Sequence, residues 1–219
     1  MVSSTPAEGG LHERGPAPAP ADDAGVEANE RLTSSTAVVL LVLLFLEGLT
    51  VVSVRSLLGP HVFIGVLLVP PVALKIASTG YRFARYYLGA SAYRRKGPPT
   101  WLLRMLGPAV VVLTVALLGS GVALMLVGPS WHDRLLALHK ASFVLWFLAM
   151  TVHVLGHLAG TARLGLPDWA SRGRRRPAGA SGRVALLVAT LMAGAAGGVV
   201  LLGRVTPYLD SLPLKHLGR

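Results

Sequence analysis

The chain contains no cysteine. That excludes disulfides, cysteine-ligated iron–sulfur clusters, covalent c-type haem attachment and thiolate zinc sites, and it leaves histidine as the natural soft metal ligand. Charge is also scarce. Only 14% of the 219 residues are charged, against about a quarter in a soluble domain. Acidic residues number 10 against 21 basic ones, for a formal net charge of +11. There is no phosphate-cradling Gly-Lys-Ser/Thr loop, no dinucleotide fingerprint, no HExxH and no Ser-His-Asp constellation. No catalytic residue is therefore assigned. No basic stripe interleaved with aromatics lies on a soluble segment, which sets nucleic acid aside as a partner.

What the chain does have is apolar sequence. Hydrophobic residues make up 53%, and the mean hydropathy is +0.58. Five apolar stretches follow one another: 36–54, 61–78, 106–127, 135–158 and 184–202. Each is close to the ~20 residues a helix needs to cross ~30 Å of hydrocarbon. The expected fold is an all-α, multi-pass cell-membrane protein, a bundle of five transmembrane helices spanning residues 36–204. Pro70-Pro71 should kink the second helix, and packing must re-satisfy the carbonyls those prolines free.

The flanks read differently. Residues 1–35 are rich in Ala, Pro, Gly and acid and show no helical or strand periodicity, which predicts a disordered tail. The late first apolar run argues against a secretory signal. Residues 205–219 form a short tail. The 17 Arg against 4 Lys, amid abundant Ala, Gly, Val and Leu, suggest a GC-rich bacterial source.

Loop charge gives the orientation. The connection after the second span carries Arg82, Arg85, Arg94, Arg95, Lys96 and Arg104, and the one after the fourth carries Arg163, Arg172, Arg174, Arg175, Arg176 and Arg183. The other connections carry far less: Arg55 in one, Arg134 and Lys140 in the other. Five spans then place the N-terminal tail in the cytoplasm and the C-terminal tail outside. The Tyr81–Tyr87 run, with its arginines, reads as an interfacial anchor for anionic membrane lipid or a docking surface for a cytoplasmic partner.

The second and fourth spans are parallel, so His61 and His139, near their starts, share one depth near the extracytoplasmic face. An intramembrane histidine is costly and is a functional candidate by default. His153 follows His139 by 14 residues, ~21 Å along the axis and within ~40° of the same face. His157 continues the stripe. Two neutral imidazoles on facing helices can hold a haem iron from both sides. Equally, any one of them can act as helix–helix glue, and His153 with His157 could chelate a metal ion. His132 and His216 read as solvated, and His12 lies in the tail.

Here the chain resembles membrane b-type cytochromes, the haem-binding helix bundles of the cytochrome b561, ferric-reductase and hydrogenase-cytochrome kind. The resemblance lies in His61 within GPHVFIGVLLVPPVALK and in His139 and His153 within LHKASFVLWFLAMTVHVLGHLAG, and it covers about half the chain, residues 59–160. It implies haem b, with His61 and His139 as axial ligands of one haem. A second haem, near His153 or His157, lacks the expected histidine on the second span, where Lys75 stands instead. The function implied is an electron-transfer subunit of an oxidoreductase rather than a complete enzyme, with a quinone or a redox protein as partner. The alternative is a non-catalytic membrane scaffold or partner-binding subunit. A proton path through Glu47 and the histidines is a third reading, against which the lack of a visible inverted repeat weighs.

Of the remaining residues, Glu47 is deep enough to require protonation or a partner. Lys75 is expected to snorkel toward the inner interface. Arg55, Arg134 and Lys140 lie near the proposed outer haem. Gly119, Gly121, Gly156, Gly160, Gly194 and Gly198 permit close helix packing, or room for a flat porphyrin.

Overall fold

The computed structural model describes residues 21–95, 101–127, 129–170 and 177–211. The chain folds into five long helices: α1 (Ala21–Val52), α2 (Leu58–Tyr87), α4 (Trp101–Leu126), α5 (Pro129–Ala170) and α6 (Ala180–Ser211), with a short α3 (Ser91–Arg95) after α2. All five long helices are long and apolar enough to cross a membrane. No strand occurs among the described residues. The protein is a multi-pass, all-α membrane bundle. Large apolar side chains such as Phe45, Val112, Leu148, Leu155 and Met192 are more than half exposed, as expected where lipid rather than water covers the surface.

The helices extend beyond their apolar runs. α1 begins at Ala21, so residues 21–35, expected within a disordered tail, are helical. Residues 1–20 lie outside the described region. The extension is held by contacts that composition does not reveal. Val26 is buried in a small cluster with Ala92 and Tyr93. Asn29 donates to the Ser78 carbonyl at 3.1 Å, and Thr33 donates to the Ser78 hydroxyl at 3.0 Å. Glu30 pairs with Arg82 at 3.1 Å. Thr33 of α1 meets Ser78 of α2 whereas Thr50 meets His61, so the two helices are antiparallel.

α1 packs on both α2 and α5, α4 packs chiefly on α5, and α6 on α2. α2 and α5 are not packed against each other along their lengths. α2 continues through Pro70 and Pro71. Pro71 has no N–H, which frees the carbonyl of Leu67. α6 comes closest at that atom: a Cβ placed on Gly194 would lie 2.6 Å from the Leu67 oxygen. The glycine therefore turns a Cα–H toward the freed carbonyl, a weak hydrogen bond typical of close helix pairs. Gly198 sits equally tightly against Phe63. Gly160 has open space where a side chain would go, whereas Gly165 meets the backbone of Ser34. The small-residue packing thus uses Gly194, Gly198 and Gly165.

The end of the bundle that carries Arg82 and Arg183 is closed by a buried ion pair. Arg183 was expected among loop charges; it lies in α6 and donates to both carboxylate oxygens of Asp168 at 2.6 and 2.7 Å. Ser35 donates to the same carboxylate at 2.7 Å, and Asp168 is fully buried. One carboxylate thus ties α1, α5 and α6. Burial alone would raise the Asp168 carboxyl, but hydrogen bonds from Arg183 and Ser35 and the guanidinium charge hold it below the ordinary carboxylate value.

Candidate functional site: two histidines between α2 and α5

His61 lies in the first turns of α2, where Pro60 precedes it without cost because the first turn needs no N–H there. Its backbone N–H donates to the Leu57 carbonyl at 2.9 Å, which fixes the start of the helix. Its Nδ1 lies 2.8 Å from Glu47 Oε1, on the last turns of α1. Thr50, one turn on from Glu47, places its hydroxyl 3.2 Å from the same nitrogen and 3.2 Å from Glu47 Oε2. Glu47 therefore does have a partner, as its depth demanded, and that partner is His61.

His139 lies on α5. Its Nδ1 is 3.1 Å from the Leu117 carbonyl of α4 and 3.2 Å from the Ser120 hydroxyl. A carbonyl only accepts, so Nδ1 carries the proton in neutral His139 and Nε2 keeps its lone pair. An ionised Glu47 imposes the same tautomer on His61. α4 can come this close because Gly121 has no side chain: a Cβ there would lie 3.2 Å from His139 Cε1.

The two rings stand with centroids 6.2 Å apart and planes at 77°. The matched depth expected from sequence is thus met, and the rings are near each other although their helices do not pack together. An imidazole nitrogen binds a metal at about 2 Å, so two rings gripping one iron would have centres about 6 Å apart. About a nitrogen–iron–nitrogen axis the angle between two ligand planes is free, so a 77° angle is compatible with shared ligation.

The other candidates are arranged differently. His153 and His157 lie in contact on α5, their rings tilted at 53° with centroids 4.8 Å apart. His153 Nδ1 is buried without a hydrogen-bond partner, whereas His157 is exposed. Lys75, expected to snorkel, donates to the Thr33 carbonyl of α1 at 2.8 Å. Midway between His139 and His153, seven residues from each, Trp146 is buried and donates to Thr114 Oγ1 at 2.9 Å. Its heptad spacing with the two histidines is the signal in the sequence that marks it. Thr50, Ser120 and the Leu117 carbonyl gave no such signal, because their roles depend on which helices meet. His132 is half-buried; His12 and His216 lie outside the described residues.

Among the described residues, no group of three or more His, Cys, Asp or Glu side chains is arranged to hold a metal ion. A haem iron asks less of a protein, since the porphyrin fills four positions and only axial ligands come from the chain. Compared with known protein families, with curated proteins and with solved structures, the chain matches none.

Proposed function

We propose that this protein is a b-type cytochrome-like membrane subunit that carries electrons through a haem held between α2 and α5, with His61 and His139 as its axial ligands. The observation that carries the reading is the 6.2 Å separation of the two rings, with each Nδ1 already engaged elsewhere. A histidine ligand characteristically spends its second nitrogen on a carboxylate or a backbone carbonyl, which fixes tautomer and ring orientation. Glu47 and Leu117 supply one of each.

Bound haem would supply the one-electron chemistry in a low-dielectric setting. The chain's own residues do the rest. α1, packed on both α2 and α5, keeps the two ligand helices apart. Glu47 and Thr50 orient His61, and Leu117 and Ser120 orient His139. The loop-charge rule places this pair toward the extracytoplasmic side and the arginine end in the cytoplasm. His153, with its unused Nδ1, is the candidate for a second site nearer the arginine end, with His157 beside it; Lys75 is already committed to Thr33. The electron source or sink would be a redox protein or a quinone.

The absorbance spectrum of detergent-purified protein, with haem quantified per chain, tests this. The reduced form should show a haem band that His61→Ala or His139→Ala abolishes. The scaffold reading draws on the same Glu47–Thr50–His61 contact, which joins α1 to α2 with no cofactor required. A colourless protein after expression with ample haem would establish that reading and end the first.

A further inference from the structure

Beyond the histidines, the junction of α2 and α3 carries a second polar site. α2 ends at Tyr87, and Gly89, at φ +90°, turns the chain into α3. That backbone conformation suits only glycine without strain. The turn leaves a cavity of about 230 Å³ lined by Arg85, Ala90, Ser91, Ala92 and Tyr93. Its volume is several times the ~30 Å³ share of one water in the liquid.

Charge at this cavity is unmatched. Arg85 holds its guanidinium 5.9 Å from the centre of the Tyr93 ring, and Tyr93 is itself buried and set edge-to-face against Tyr81 at 6.2 Å. The cation thus lies within cation–π range of the ring, and a guanidinium carries five N–H donors with which to meet a ligand. Arg94 places its guanidinium against the Gly89 turn, 3.4 Å from where a Cβ would stand. Among the described residues, neither Arg85 nor Arg94 forms an ion pair. Arg31, Arg82 and Arg183, at the same end of the bundle, each have a carboxylate.

We propose that this cavity binds the phosphate of an anionic membrane lipid, with Arg85, Arg94 and the Ser91 hydroxyl as the recognising groups. Planar guanidinium donors match phosphate oxygens in pairs. A lipid fits better than a free anion because the rim is apolar and aromatic. Tyr81, one turn before Arg85 and in contact with the lining Tyr93, and Leu88, at the end of α2, are each more than half exposed, as suits a level where interfacial aromatics and headgroups meet. A free phosphate gains nothing from Tyr81 and Leu88. Acyl chains do.

Native mass spectrometry of the full-length protein in detergent tests this, using phosphatidylglycerol, phosphatidylcholine and inorganic phosphate as probes. The wild type should retain one phosphatidylglycerol per chain. Arg85→Gln should lower that occupancy about tenfold, with helical circular dichroism unchanged. Arg94→Gln should weaken it independently, which keeps the test open if Arg85→Gln disturbs the turn. Arg163→Gln removes the same charge from α5, outside the cavity, and should bind like the wild type. Equal loss in Arg163→Gln, equal retention of phosphatidylcholine, or unaltered binding in both Arg85→Gln and Arg94→Gln would overturn the site. Binding of inorganic phosphate in place of the lipid would overturn the lipid assignment.

Discussion

The two ends of the bundle treat polar groups in opposite ways. At the arginine end, three polar groups that join the helices are each consumed by a neighbour. Asp168 takes donors from Arg183 and Ser35, Lys75 takes the Thr33 carbonyl and Glu30 takes Arg82. Those contacts fasten α1 to α2 and α5, and α5 to α6. At the histidine end, only one nitrogen of each ring has a hydrogen-bond partner among the described residues. His61 and His139 are oriented through Nδ1 and lie edge to face, 6.2 Å apart, between helices that do not pack along their lengths. Closed polar groups hold a fold together; half-used ones, held in position by the rest, are what a ligand site requires.

Substitutions at the two ends should separate these roles. The largest effect is expected at the closed end. Arg183→Ala leaves Asp168 buried without its cation, and the loss of a partner from such a pair costs about 3–5 kcal/mol. Denaturant unfolding in mixed micelles should show that loss, while replacing both residues with apolar ones of similar volume should recover most of it. A double replacement no better than Arg183→Ala would mean that the ion pair does more than satisfy itself.

At the open end, Glu47→Gln should act on the ligand and spare the fold. Changes to a group that orients a ligating histidine cost about 10–100-fold in affinity. Haem transfer to an external acceptor should accelerate accordingly, with the unfolding transition little changed. Loss of stability without loss of haem would reverse the assignment and make Glu47 a helix clamp like Asp168.

The smallest effect is expected from pH. Asp168 is held below its ordinary value in the fold, so its contribution is fully present above the unfolded carboxyl pKa of about 4 and is lost as pH falls through the lower folded value. Thermal unfolding followed from pH 6 downward should decline in that window. The decline should be shallower in the apolar double replacement. An equal decline in both would place the acid sensitivity elsewhere.

Much of this was legible in the chain. The five apolar runs became the five long helices, because spans of that length leave a backbone in lipid no alternative to helical hydrogen bonding. Equal depth of His61 and His139 followed from counting spans, and Glu47 was marked as needing a partner by the cost of a carboxylate in hydrocarbon. The start of α1 was not legible. Residues 21–35 have the composition of a tail and become helical against Ser78, Arg82, Tyr93 and Asp168, none of them near in sequence. Arg183 looked like one more loop arginine until α5 brought Asp168 to it. Lys75 looked like a lone cation because its acceptor, the Thr33 carbonyl, has no side-chain signature.

The sequence alone determined that the protein is a multi-pass membrane protein with five helices of spanning length, and that His61 and His139 lie level with each other, since these depend on transfer energies and on rise per residue. Only the tertiary structure decided which polar groups are closed and which are left open. Whether Glu47 orients a ring or Asp168 locks three helices depends on which faces of the helices meet. Close approaches such as Gly121 against His139 and Gly194 against Leu67 set that, and no single segment encodes them.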